Sequence, residues 1–340
     1  MNEASLDLSV LLIFFTRQDT LREVFARIRE ARPARLFLYQ DGPREGRADD
    51  RENILACREI VSQVDWDCEV HTLYQERNYG ADESGYLADT WAFSQTDKCL
   101  VLEDDVVPEL SYFAFCKEML DRYEHDERVM LISGWNMEEE TPGTEGDYFF
   151  TYTTFTMAWA SWSRVVQAWD AEYSWLQDAE KRERVFRHIR EHRLLSKWPA
   201  LLRQRAEDPV KHFETILMSC QFLNGGLTIV PTRNAVQNIG LGVGSAHYDD
   251  SLQLMARGDR RIFMMKAYGP DMEHLRHPQE VVNFEPYRER VYRIRAWNHP
   301  WVRVFRTLEA ACYQLLYGDR KKALNVLWTK ARNVITRHHT

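Results

Sequence analysis

Glu103, Asp104 and Asp105 stand in a row directly after the apolar run Lys98-Cys-Leu-Val-Leu102. Three carboxylates at the end of a strand suit a hard divalent ion such as Mg2+ or Mn2+, which prefers oxygen ligands. An ion held there bridges diphosphate oxygens and neutralises a departing nucleotide. Consecutive side chains point different ways, so the three need not share one task. The plain alternative is an acidic cluster opening the next helix, where Asp caps and the helix dipole favours negative charge. A second group of candidates is aromatic. Trp135, Trp159, Trp162, Trp169 and Trp175 crowd the middle of the chain, and an aromatic face can cover the apolar face of a sugar. Core packing is the alternative, and it is expected for most of the five, with one or two lining an acceptor site.

The elements that must position these groups are legible over the first 140 residues. Val10 to Phe15 is a continuous apolar run of strand character. Leu21 to Arg32 reads as an amphipathic helix with Leu21, Val24, Phe25 and Ile28 on one face, ended by Pro33. Arg35 to Tyr39 is a second strand, closed by the turn signal Asp41-Gly42-Pro43. A helix from Asn53 to Val64, a strand from Cys68 to Leu73, a helix containing Ala88 to Phe93, the strand before the acidic triplet, a helix from Leu110 to Tyr123 and a strand from Arg128 to Ile132 follow. This alternation predicts an α/β fold with a doubly wound, mostly parallel sheet, whose ligands bind at the C-terminal strand ends. The second half predicts an elaborated, helix-rich region. It has a loop over 141–147, an aromatic segment over 148–175, a charged helix over 185–197 interrupted by Pro199, a short strand at Leu227 to Val230, a loop over 234–244 and irregular chain over 270–300. The expected organisation is a first half over 1–140 carrying the strand-end ligand site, a second half of the same domain over 141–299, and basic amphipathic helices over 300–340.

Val101-Leu-Glu-Asp-Asp-Val-Val-Pro108, Phe113, Phe115 and Ile132-Ser-Gly-Trp-Asn136 together resemble the GT-A-fold glycosyltransferases. The likeness is to the N-acetylglucosaminyltransferase I type and to bacterial sugar transferases with the same Glu-Asp-Asp signature. The resemblance implies Asp105 as the direct ligand of Mn2+ or Mg2+, with Glu103 and Asp104 serving the nucleotide sugar. It implies donor contacts from Thr16 and Arg17 after the opening strand, from Asp41 to the base, and from the Asn78-Tyr-Gly80 turn. Thr156 to Arg164 resembles a Trp-Gly-Trp-Ala-Thr-Trp stretch of the bacterial relatives, with Ala158 where Gly is usual, and Trp135, Trp159 and Trp162 become acceptor candidates. His212-Phe-Glu-Thr215 stands where those relatives carry Trp-Asp, which makes Glu214 the candidate general base of an inverting transfer. Pro231 to Gly240 resembles a late family segment containing Asn238 and Gly240, and His247 in Ser245-Ala-His247 becomes a candidate second metal ligand or diphosphate contact. The expected partners are a nucleotide-sugar donor and a saccharide or lipid-linked saccharide acceptor of surface glycan synthesis. Two rivals stay open: a nucleotidyltransferase, disfavoured because Thr16-Arg-Gln-Asp19 lacks the glycines of a phosphate loop, and a binding protein without transferase activity, disfavoured by the intact triplet.

Bulk composition agrees with a globular chain. The 340 residues are 44% hydrophobic and 28% charged, with a formal net charge of −8, a balance that argues against nucleic acid as a partner. The six cysteines form no CxxC pair and no zinc spacing, so a reducing cytoplasm is expected. No apolar stretch reaches the ~20 residues of a membrane span. The tail runs against the overall charge: from Pro300 onward, eight Lys/Arg face only Glu309 and Asp319. Together with its amphipathic spacing this suggests either a peripheral anchor on an anionic inner-face membrane or a helix pair packed on the domain.

Overall fold

The computed structural model describes residues 5–153, 155–194, 196–241, 252–297 and 299–318. The first half alternates as expected: β1 (Leu6–Phe14), α1 (Gln18–Ala31), β2 (Pro33–Gln40), α2 (Asp50–Val61), β3 (Glu69–Tyr74), α3 (Ala81–Phe93), β4 (Lys98–Glu103), β5 (Val106–Pro108), α4 (Leu110–Arg122) and β6 (Val129–Ser133). Leu21, Val24, Phe25 and Ile28 form the buried face of α1. That helix stops at Arg32, whose φ of 52° is left-handed, because Pro33 has no N–H to continue it.

The second half contains β7 (Tyr148–Thr151), β8 (Trp159–Trp162), α5 (Ser163–Val166), α6 (Ala179–Glu191), α7 (Trp198–Glu207), α8 (Phe213–Asn224), β9 (Leu227–Pro231), β10 (Val236–Asn238), α9 (Arg257–Met264), α10 (Glu285–Ile294) and α11 (Pro300–Tyr317). Several expectations need correction. The charged helix starts earlier than 185, because Asp178 caps it by accepting from the backbone N–H groups of Glu180 and Lys181. Pro199 interrupts nothing: it lies in the first turn of α7, where a missing N–H costs no hydrogen bond. The stretch expected to be a loop after Asn234 holds β10, and the stretch expected to be irregular after Pro270 holds α10.

The sheet has eight strands in the order β3-β2-β1-β4-β8-β6-β9-β7. β8 is antiparallel to both of its neighbours and β7 is antiparallel to β9; the other pairings are parallel. The fold is therefore α/β, with a mostly parallel, doubly wound sheet. Its two-sidedness is visible in β8 itself. Residues an odd number apart face opposite ways on a strand. Trp159 stacks on Phe93 of α3 at 6.0 Å, while the Trp162 indole N–H donates to the Leu120 carbonyl of α4 at 3.0 Å. One helix layer thus covers each face. Since β8 sits between β4 and β6, the sheet runs unbroken past residue 140.

Trp159 and Trp162 are 1% and 2% exposed. Neither offers a ring face to an acceptor, and core packing accounts for both. Ala158, standing where glycine is usual, has a left-handed φ of 46° and is fully buried. Its carbonyl accepts from the Gly134 N–H and from the Tyr112 hydroxyl, both at 2.9 Å, and these bonds hold a conformation that alanine adopts at some cost. Asn136 is the other node: its side-chain amide donates to the Pro231 and Thr232 carbonyls, and its backbone N–H donates to the Asn234 side chain. Trp159→Ala is expected to destabilise the chain by about 3–5 kcal/mol, read as a lower denaturation midpoint; an unchanged midpoint would contradict the core assignment.

Candidate functional site

Strand register gathers the candidate residues at one end of the sheet. Ile13 of β1 stands opposite Tyr39 of β2 and Glu103 of β4, and Gln40 stands opposite Tyr74 of β3. All four strands are parallel, so Arg17, Asp41, the 78–80 turn and the acidic triplet leave their C-terminal ends together. This is the end at which ligands bind in open α/β sheets.

Arg17 joins the first strand to the triplet. One terminal guanidinium nitrogen lies 2.5 Å from Asp104 Oδ1 and 2.7 Å from Asp105 Oδ2. The Phe15 backbone N–H adds a bond to Asp104 Oδ2 at 3.3 Å. Burial opposes charge on Arg17, but the two carboxylates outweigh it and keep the guanidinium protonated. Thr16 is half-buried beside it. Asp105 is held from the other side by the late motif. β10 pairs antiparallel with β5, setting Asn238 opposite Val106, and the Ile239 N–H donates to the Asp105 carbonyl at 2.8 Å. A Cβ on Gly240 would fall 1.9 Å from Asp105 Oδ2, so any other residue there would displace the Asp105 carboxylate. Asp105 Oδ1 is buried and has no hydrogen-bond partner. A carboxylate oxygen left bare inside a folded chain is a natural donor for a cation. Among the described residues, no cluster of three or more His, Cys, Asp or Glu side chains forms a complete metal cage. His247 lies outside the described residues.

Asp41 works differently from a base contact. Oδ1 accepts from the Gly42 and Tyr79 N–H groups, and Oδ2 accepts from the Asn78 side chain and the Gly80 N–H, all within 2.7–3.0 Å. Both oxygens are thereby filled by the protein. Burial pushes the carboxyl upward and those backbone donors pull it back. Asp41, Asn78 and Gly80 thus form one unit that fixes the turn into α3, with Gly80 at a φ of 79° that favours glycine.

Glu103 is half-buried, and Asp104 is 6% exposed. Burial raises Glu103 to about 8, with Asp105, Glu214 and Asp104 pushing the same way and Arg17 opposing. Asp104 rises to about 6, lifted by burial and Asp105 and restrained by Arg17. Glu214, in the first turn of α8, thus acts electrostatically on Glu103. Glu214 itself is exposed, and its Oε1 accepts from the Thr156 hydroxyl at 3.2 Å. Two contacts seat α8 against α3: the Phe213 ring lies where a Cβ on Gly85 would fall, and His212 Nδ1 meets Asp82 at 2.9 Å. Trp135 lies two residues past the end of β6, is 8% exposed, meets Phe155 edge-on at 5.2 Å, and keeps a buried indole N–H without a partner.

Asp89 was missed by motif reading. It lies on α3, has no exposed surface, and both its oxygens lack partners. Burial, reinforced by Glu103, raises it well above the carboxylate range. The one sequence signal for it is a lone acid amid Tyr86, Leu87, Ala88, Ala92 and Phe93.

Glu103 and Asp104 are raised above the ~4 of unfolded carboxyls, so the native state binds more protons than the unfolded one between about pH 4 and 8. Their contribution to stability is fully present below that window and is lost as pH rises through it. With a chelator present, the melting temperature of Glu103→Gln is expected to fall less than that of the unmodified chain between about pH 5 and 8. Equal slopes would refute the assignment.

No protein-family model matches the sequence, and comparison with curated proteins gives no match. Among solved structures, the chain is similar to mouse xyloside xylosyltransferase 1 in its apo form, at 10% identity and a TM-score of 0.31, over 65% of this chain and 82% of that one. It is similar to the inositol-1-phosphate CTP transferase of T. maritima at 9% identity and a TM-score of 0.34, over 77% of this chain and 97% of that one. It is also similar to a 4-diphosphocytidyl-2C-methyl-D-erythritol synthase of Anaerococcus prevotii at 10% identity and a TM-score of 0.26, over 48% and 73% respectively. The architecture itself rests on the strand order and register given above.

Proposed function

We propose that this chain is a metal-dependent glycosyltransferase that moves a sugar from a nucleotide-sugar donor to a saccharide or lipid-linked saccharide acceptor, with inversion, in surface glycan synthesis. The observation that carries this reading is the meeting of Arg17, Asp104 and Asp105 at the strand ends, with Asp105 Oδ1 bare.

Asp105 is the residue that would hold Mn2+ or Mg2+. A bound ion there supplies charge neutralisation for the diphosphate leaving group. Among the described residues Asp105 is the candidate protein ligand, and substrate oxygens and water would supply the rest of the coordination, a habit of Mg2+-type sites. Arg17 keeps Asp105 in place and adds a fixed cation where phosphate charge develops. Glu103 and Asp104 face the nucleotide sugar. Asp41 acts by positioning, through the 78–80 turn. Glu214 takes the proton of the acceptor hydroxyl as that oxygen attacks the anomeric carbon, and the bond to the diphosphate breaks as the new one forms. A single displacement of this kind inverts the centre. Thr156 orients the Glu214 carboxylate. Trp135, with its unpartnered N–H, is the remaining acceptor-side aromatic candidate of the three.

Product identity separates this reading from a nucleotidyltransferase: a glycosyltransferase releases nucleoside diphosphate, whereas pyrophosphate release would overturn the proposal. Asp105→Ala is expected to abolish the Mn2+-dependent part of nucleotide-sugar binding, measured by thermal shift with and without the ion; retained ion dependence would remove Asp105 as ligand. Glu214→Gln is expected to lower kcat by about 10²–10⁴ with donor affinity preserved. A variant that turns over like the parent would eliminate Glu214 as base.

A further inference from the structure

The one extended apolar surface among the described residues lies on α11. Trp301, Phe305, Leu308, Cys312 and Leu316 are all exposed, and they advance by four, three, four and four residues, the spacing of a single helical stripe. Trp301 is 75%, Phe305 69% and Leu316 71% exposed. No charged residue interrupts the stripe. The other side of the helix is firmly seated: Arg306 pairs with Asp259 at 3.0 Å, Glu309 with Arg257 at 2.6 Å, and Ala311 is buried. The stripe is thus presented outward by contacts to α9. A chain does not leave so continuous a surface in water without a use for it.

We propose that this face of α11 docks on an anionic lipid bilayer. Charge selects the occupant. In a chain of net charge −8, α9 and α11 with the short turn that follows α9 carry six cations (Arg257, Arg260, Arg261, Lys266, Arg303 and Arg306) against Asp259 and Glu309. Arg260, Arg261 and Arg303 donate to backbone carbonyls, so these bonds leave their charge uncancelled. The sequence that follows adds Arg320, Lys321, Lys322, Lys330, Arg332 and Arg337 against Asp319. Trp, Phe and Leu on one side with arginines around them is the composition of a helix lying in the membrane interface, and each cation adds attraction to acidic headgroups. A second copy fits poorly, because a two-fold contact would set the same arginines against each other. No helix among the described residues is long and apolar enough to cross a membrane, so the contact is peripheral. α9 also packs on β10, whose continuation closes over Asp105, so the surface and the site share a supporting element. This inference goes beyond the proposed transfer and does not depend on it.

The test is co-sedimentation of the full chain with vesicles of phosphatidylglycerol and phosphatidylcholine, and with phosphatidylcholine alone. The expected result is binding to the acidic vesicles that weakens with salt, and a loss of about tenfold or more in the double variant Trp301→Asp, Phe305→Asp. Its melting temperature should stay unchanged, because both side chains are exposed. Arg260→Glu with Arg303→Glu should weaken only the acidic-vesicle component. Absence of binding to acidic vesicles, or binding by the Trp301→Asp, Phe305→Asp variant equal to that of the parent, overturns the proposal. So does a dimer that dissociates in that variant without any vesicle binding by the parent, which would assign the face to a second copy. Nucleotide-sugar binding without vesicles is expected to be the same in all these variants, which keeps a failure here distinct from a failure of the transferase reading.

Discussion

Crowding of negative charge at the ends of buried strands is the constraint from which the rest of this structure follows. Asp104 and Asp105 are adjacent in sequence, Glu103 precedes them, and Glu103 interacts unfavourably with both Asp89 and Glu214. In a low-dielectric setting such a group is costly unless a cation or a proton answers each charge. Arg17 answers two of them with one guanidinium nitrogen. Burial and mutual repulsion push Glu103 and Asp89 upward, toward holding their protons. Placing Arg17 there requires β1 beside β4 in a register that brings Ile13 opposite Glu103, so the electrostatics of the site depend on the order of the sheet.

The second consequence concerns how the site is assembled. The N-terminal half contributes the acidic strand end, Arg17, and the Asp41-anchored turn. The other walls come from distant sequence: the α8 start with Glu214, and the β10 segment that lays Gly240 over Asp105. These walls are joined to the first half by specific contacts, Phe213 over Gly85, His212 to Asp82, and Ile239 to Asp105. Neither half would form the site alone.

Much of this was legible in the sequence because the first half uses the strongest signals. Apolar runs such as Val10 to Phe15 and the 21-24-25-28 stripe of α1 translate directly into buried strand and helix faces. The short elements were not legible. Val236-Gln-Asn238 is too brief to show a period, and it becomes a strand only because β5 offers an edge. α10 hides its buried Tyr287, Val291 and Tyr292 among Arg288, Glu289, Arg290 and Arg293, so polarity masks the helix. Proline at 199 reads as a breaker until its position within the first turn is known. At the site, the triplet and its neighbours were visible as residue types, yet roles depend on partners. Asp41 looks free in sequence and is saturated in space, and Trp159 and Trp162 look available but are enclosed. The influence of Glu214 on Glu103 is a tertiary fact with no local trace.

The antiparallel β8 has a further consequence for how the chain is made. Chains emerge from the amino terminus first, and early segments begin to organise before later ones exist. Once residue 103 has appeared, β1 to β4 can assemble with β4 at the border, its outer hydrogen-bonding groups unmatched. An unmatched border invites pairing with any extended segment nearby. It is closed only when residues 159–162 arrive to lie between β4 and β6. Asp105 waits longer still, until Gly240 is in place. A nascent chain therefore passes through a long interval with its most adhesive edge open and its acidic pocket unroofed. Only a polypeptide extended past residue 240 can shelter that pocket, so occupation of the pocket by a ligand would register that the acidic strand end and its late cover have met.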